Sequence, residues 1–327
     1  MKINNAETMM LEFAENTGLS SDKPPRRYLW TDAFAVFNFI QLFKQTNEEK
    51  YKQLAITLVD QVHSILGKHR KDDPREGWLS SKEHPTKKGL RIGKSLPERK
   101  PNEPLDQELE WERDGQYFHY LTKWMVALIK MGLLCDEYSY FLWAKDLVNA
   151  SLAFIHDGHM YWKMSIDLTR PLIKSMGQHD PLNGYVAYKV VNRYVDADLT
   201  KQVDQVLKLA KSIQLPTTDP LGLGELLVYG YRLFQMKEDE DLISKILEAV
   251  KFALPTINKN FHGLAFRELG LAIGLEASKH MNILESYWKL KQNIVTYWLE
   301  HQDWREHKDI NQVMLATSLQ PEEFLRV

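Results

Sequence analysis

Two kinds of helical segment alternate along this chain, and the alternation restricts its fold more than any motif does. One kind is apolar around its whole circumference, as in AFAVF at 33–37 running on to Phe39 and Ile40, and LGLGELLVYGYRLF at 221–234. A helix of that kind must be enclosed on all sides. The other kind is amphipathic. Leu54, Leu58, Val62 and Ile65 line one face, with Lys50, Lys52, Gln53 and Gln61 off it, and Val203, Val206, Leu207 and Ala210 repeat the design. Leu242, Ile243, Ile246, Leu247 and Val250 do so again.

Periodicity predicts twelve helices, over 5–17, 29–45, 48–68, 115–131, 137–155, 181–194, 199–213, 221–236, 239–253, 262–277, 281–300 and 309–318. The fully apolar members begin near 31, 115, 182, 222, 262 and 309, at intervals of about 84, 67, 40, 40 and 47 residues. A unit of about 40 residues is a helical hairpin with short turns. The two long intervals are the same hairpin with insertions at about 69–113 and 156–180. Six hairpins that enclose every second helix close into a ring, because an open superhelix leaves one side of each helix uncovered. The expectation is an all-α chain, a single (α/α)6-barrel domain over 1–327. In such a ring the inner helices run the same way, so both insertions would cover the rim that gathers their N-termini. Free N–H groups and positive dipole ends there suit anionic or hydroxyl-rich ligands.

Composition narrows the partners. Lys plus Arg is 42 and Asp plus Glu is 44, a net charge of −2, so no basic excess drives nucleic-acid binding. Cys135 is the single cysteine, which excludes an internal disulfide and a Cys-rich zinc site. No apolar run is long enough to span a membrane, and MKINNAETMMLEFAEN does not read as a secretory signal. A cytoplasmic protein with no cofactor is expected. His156 and His159 lack the spacing and third ligand of a zinc site, so no metal is expected either.

The segments entering the inner helices combine aromatic, acidic and basic residues. Arg27, Trp30 and Asp32 open the first, and Trp111, Asp114, Gln116 and His119 the second. His179 and Asp180 precede the third, His262 opens the fifth, and Trp162 lies in the second insertion. Flat aromatic faces beside carboxylates and arginine fit a sugar ring, which stacks through its C–H faces and hydrogen-bonds through its hydroxyls. Each residue also has a structural reading. Asp32 could stabilise its own helix dipole, and Asp114 and Asp180 could be N-caps. Glu268 falls within an apolar helix, where a carboxylate is either paired with an arginine such as Arg267 or Arg27, or protonated and suited to acid catalysis. Residues 68–100 carry eleven cations against five acids. Arg91 and Lys94 in that loop could hold an anion, or the loop could pair with the acidic stretch 103–114.

The alternating helices with acids at the inner-helix ends resemble the six-hairpin glycosidase-like superfamily. RRYLWTDAF at 26–34, RDGQYFHYLTKWM at 113–125, MYWKMSIDLTRP at 160–171 and SMGQHDPL at 175–182 look like a bacterial branch of it. The resemblance implies an (α/α)6 barrel acting on carbohydrate and carries over no catalytic motif. The first expectation is a glycoside hydrolase with Glu268 as acid, Asp32 or Asp114 as base, Arg27 and His179 as hydroxyl clamps and Trp30 and Trp111 as stacking faces. The alternatives are an epimerase using His179 and His262 on opposite faces of the sugar, and a non-catalytic binding or scaffold protein. Terpenoid chemistry is disfavoured, since Asp72-Asp73 lacks the required aspartate spacing.

Overall fold

The computed structural model describes residues 2–257, 263–304 and 306–327. The helices are α1 (Lys2–Asn16), α2 (Leu29–Thr46), α3 (Glu49–Leu66), α4 (Gln107–Glu112), α5 (Phe118–Cys135), α6 (Tyr138–Ser151) and α7 (Asp180–Asn192). They continue with α8 (Thr200–Ala210), α9 (Pro220–Met236), α10 (Glu240–Ala253), α11 (Ala265–His280), α12 (Trp288–Glu300), α13 (Lys308–Leu319) and α14 (Glu322–Leu325). Five short strands fall between α4 and α7: β1 (Gln116–Tyr117), β2 (Ile155–His156), β3 (His159–Met160), β4 (Lys163–Met164) and β5 (Pro171–Ile173). The periodicity did not predict these strands, nor α4 and α14. The chain packs as two compact units, residues 16–36 with 52–213, and residues 1–15 with 37–51 and 214–327.

In the unit built on 52–213, burial follows the two helix types. Every side chain of α5 from Tyr120 to Gly132 is buried, whereas α8 buries only Val203, Val206, Leu209 and Ala210. Leu209 thus takes the place expected of Leu207. A two-residue turn with Asp136 in the left-handed region joins α5 to α6 and makes them antiparallel neighbours. His63 on α3 is enclosed here: its Nε2 accepts a hydrogen bond from Trp124 Nε1 at 3.1 Å. Burial pushes its imidazole down to about 3. The unfolded chain binds the proton near pH 6.5, so stability is lost progressively as pH falls from there toward 3. His63→Gln keeps an acceptor for Trp124 without the titration. It is expected to remove on the order of 3 kcal/mol of the loss at pH 4. Urea midpoints at pH 7 and pH 4 check this, and an identical acid loss in both proteins would refute it.

In the unit holding 214–327, α9 and α11 approach through glycines. A Cβ on Gly224 would lie 2.1 Å from Gly270 O, and one on Gly274 would lie 2.4 Å from Gly224 O. Backbone meets backbone, so no side chain can move aside. Gly224→Ala is expected to cost at least the 1–3 kcal/mol typical of overpacking, about 3 kcal/mol, read as a lowered urea midpoint. The N-terminal ends of α9, α11 and α13 are tied together. Asp219 accepts from Gly222 N at 3.0 Å and from Arg267 at 2.7 Å, while Asn311 Oδ1 accepts from Phe266 N at 3.1 Å.

Candidate active site

The two insertions fold into each other beside the N-terminal ends of α2, α5 and α7. β4 pairs antiparallel with β1 on one side and β5 on the other, so Gln116 faces Met164 and Lys163 faces Ile173. Lys163 is fully buried, donating to Glu110 Oε1 at 3.0 Å and to the carbonyls of Glu110 and Arg113. Burial lowers its pKa despite the Glu110 carboxylate. Arg99 donates to Glu110 at 2.9 Å and to Leu172 O at 2.8 Å. Arg75 bridges Asp73, Glu98 and Asp167, and the Asp167 carboxyl is held down to about 2, burial being outweighed by Ser165, Thr169 and Arg75.

Four arginines of the cationic loop, Arg70, Arg75, Arg91 and Arg99, are spent in ion pairs of this kind. Arg91 meets Asp114 at 2.5 Å and Arg70 meets it at 3.4 Å, while the N–H groups of Gly93 and Gly115 donate to its other oxygen at 3.0 Å. Asp114 is wholly buried and is not an N-cap; Tyr117 occupies that position on α5. Pairing of Gln116 and Tyr117 with β4 delays the helix by three residues, to Phe118. Gln116 is a buried strap between backbones, accepting from Leu90 N and donating to Lys88 O and Ile166 O. Lys94 lies 5.4 Å from the Tyr28 ring centroid.

An aromatic wall crosses this region. Trp111 and Trp162 meet edge to face at 4.9 Å, Trp162 tilts against Tyr117 at 5.0 Å, and His119 stacks on Tyr117 at 5.5 Å. The His119 and Trp162 rings are parallel within 8°, 6.3 Å apart. Tyr120 packs at right angles on His119 and shares a 2.6 Å hydrogen bond with the Tyr28 hydroxyl. Desolvation raises the pKa of Tyr28, to about 12, and lifts Tyr117 and Tyr120 further, so all three phenols are neutral donors and acceptors at physiological pH.

At the inner edge of the wall, His119 Nδ1 stands 3.6 Å from Asp180 Oδ1. His119 Nδ1, Asp180 Oδ2 and Asn183 Nδ2 are all buried without a hydrogen-bond partner. Asp180 opens α7 as its first residue rather than capping it. His179, buried, holds the cap position with no side-chain capping bond. Asp180 and Asn183 stand three residues apart in the first turn of α7, and a buried polar atom without a partner carries a desolvation penalty.

The other expected site residues lie elsewhere. Asp32 accepts from Tyr28 N at 2.8 Å and pairs with Arg27 at 3.5 Å, both buried, and Arg27 also donates to Thr17 O. Trp30 is 4 % exposed and packs on Phe34, a core position rather than an open stacking face. In the other unit, α11 begins at Ala265, so Glu268 is in its first turn rather than deep within it. Its oxygens accept from Gly263 N at 3.1 Å and Trp298 Nε1 at 2.8 Å, while Arg267 pairs with Asp219. His262 lies outside the described residues. The sequence reading did not single out Tyr28, Tyr117, Tyr120 or Asn183, although Tyr117 and Tyr120 stand three apart beside His119. Among the described residues no group of three or more His, Cys, Asp or Glu could hold a metal ion, and no helix is long and apolar enough to cross a membrane.

Comparison with solved structures defines the fold class: this is an all-α chain with an (α/α)6-barrel fold. A D-mannose isomerase matches over 98 % of this chain and 96 % of its own, with a TM-score of 0.63 at 12 % identity. A GH76 α-mannanase from Bacteroides thetaiotaomicron matches over 98 % and 97 %, with a TM-score of 0.64 at 10 % identity. The cellobiose 2-epimerase of Spirochaeta thermophila matches over 98 % and 97 %, with a TM-score of 0.58 at 12 % identity. No protein-family model and no curated protein matches the chain.

Proposed function

We propose that this protein is a carbohydrate-active enzyme that moves a proton on a sugar bound at the N-terminal ends of α5 and α7, as an aldose–ketose isomerase or 2-epimerase. One observation carries the reading: the buried, unpartnered polar atoms of His119, Asp180 and Asn183 beside an aromatic wall. Asp180 beside Nδ1 would fix the ring's tautomer and leave Nε2 as the base that takes the proton from C2 of the open-chain sugar. The 3.6 Å separation is within the range of looser contacts found at acid–base sites before the substrate is engaged. His179 would supply the second acid–base group, the neutral hydroxyls of Tyr28 and Tyr120 would hold the carbonyl or hydroxyl oxygens, and Trp162 would stack on the ring.

Glycoside hydrolysis is the second reading, favoured by the likeness to α-mannanases. An α-1,6-mannanase of the same fold is described as inactive when two adjacent aspartates are replaced. The one adjacent pair here, Asp72-Asp73, is engaged by Arg70 and Arg75 in the first insertion, and Asp114 is sealed by four donors. Hydrolysis would therefore rest on Asp180 or Glu268. The deciding experiment incubates the protein in D2O with mannose, glucose and fructose, and in parallel with an α-1,6-mannotriose. Deuterium entering C2 supports proton transfer. Cleavage of the trisaccharide without exchange moves the assignment to hydrolysis.

A further inference from the structure

Three rings of the aromatic wall, Tyr117, Trp162 and Trp111, also line a cavity of about 530 Å³. That volume lies within the range of about 300–1,000 Å³ typical of pockets for drug-sized ligands. Trp111 is 52 % exposed although it is the largest side chain on α4, and Leu105 just ahead of that helix is 51 % exposed. Trp111 meets Trp162 edge to face at 73°, and both indoles line the cavity. The cavity's charges are unbalanced. Glu110 faces both Arg99 and Lys163, which are fully engaged by it and by backbone carbonyls. Lys174 at the lip, beside Ser175, is exposed and makes no ion pair among the described residues. An apolar platform with one unspent cation at its edge is complementary to a sugar ring that carries an acid.

We infer that the substrate has at least two sugar rings and that the outer one bears a carboxylate, its C–H face on Trp111 and its acid at the Lys174 ammonium. This rests on the reading that His119 and Asp180 act on the inner ring. The test is calorimetric titration of the whole protein with glucuronosyl-β-1,4-glucose, cellobiose and free glucuronate. The acidic disaccharide is expected to bind about tenfold tighter than either of the others. Lys174→Gln is expected to erase its advantage over cellobiose, and Trp111→Ala its advantage over glucuronate. Lys174 is exposed and Trp111 is 52 % exposed, so neither change opens a hole in the core. Cellobiose binding as tightly as the acidic disaccharide, or glucuronate doing so, overturns the inference. The C2 exchange assay separates the two ideas. Tight acid-disaccharide binding without exchange on any sugar removes the proton-transfer reading alone, and exchange without the binding preference removes this inference alone.

Discussion

Replacing Asp114 with alanine is expected to lower the stability of the protein by about 3–5 kcal/mol, the cost of leaving a buried cation without its partner. Asp114 is completely buried and holds the Arg91 guanidinium, the edge of Arg70 and two backbone N–H groups. Its loss strands Arg91, which is itself 6 % exposed, and frees the junction between the first insertion and the start of α5. Asp114→Asn keeps one acceptor and the shape but not the charge, so a smaller loss is expected. Urea denaturation followed by near-ultraviolet circular dichroism measures both. A loss under 1 kcal/mol for the alanine variant, accompanied by loss of activity, would return Asp114 to the role of catalytic base.

His119→Asn is expected to reduce deuterium exchange at C2 by a factor of about 10²–10⁴, the usual contribution of a positioned acid–base group. The side chain is only partly buried and its Nδ1 makes no hydrogen bond in the free protein, so the fold should survive. Asp180→Asn acts one step removed, through the tautomer and orientation of His119. It is expected to lower kcat while leaving the Michaelis constant for mannose nearly unchanged. Exchange within tenfold of wild type in the His119 variant would exclude the imidazole as the base. The neutral phenols of Tyr28, Tyr117 and Tyr120 contribute no titration near neutral pH, so they add no limb to the pH profile there.

Particular residues mark how far the sequence could be read. The helix alternation was legible because burial on all sides demands an apolar circumference, and α5 meets that demand from Tyr120 to Gly132. The proposed site was legible only in outline. His119, His179, Asp180, Trp111 and Trp162 were named from their residue types, but nothing local told Trp162, beside the cavity, from Trp30, packed on Phe34. A cap was one of the two readings open for Asp114 and for Asp180, and neither residue is one. Long-range pairing of Gln116 and Tyr117 with β4 moves the start of α5 past Asp114, and α7 opens at Asp180 itself. The cationic run at 68–100 left two outcomes open, because charge counting carries no distances. Arg70, Arg91 and Arg99 turned out to face Asp114 and Glu110.

By itself, then, the chain's pattern of apolar and amphipathic segments determined the helices, their pairing and the (α/α)6 class, since periodicity and burial are properties of neighbouring residues. Which acids are sealed, which are left partner-poor, and where an aromatic wall opens into a cavity were decided only in three dimensions. Those outcomes depend on partners that lie tens of residues away, such as Arg91 for Asp114 and Asp180 for His119, and on how two irregular insertions fold against one another.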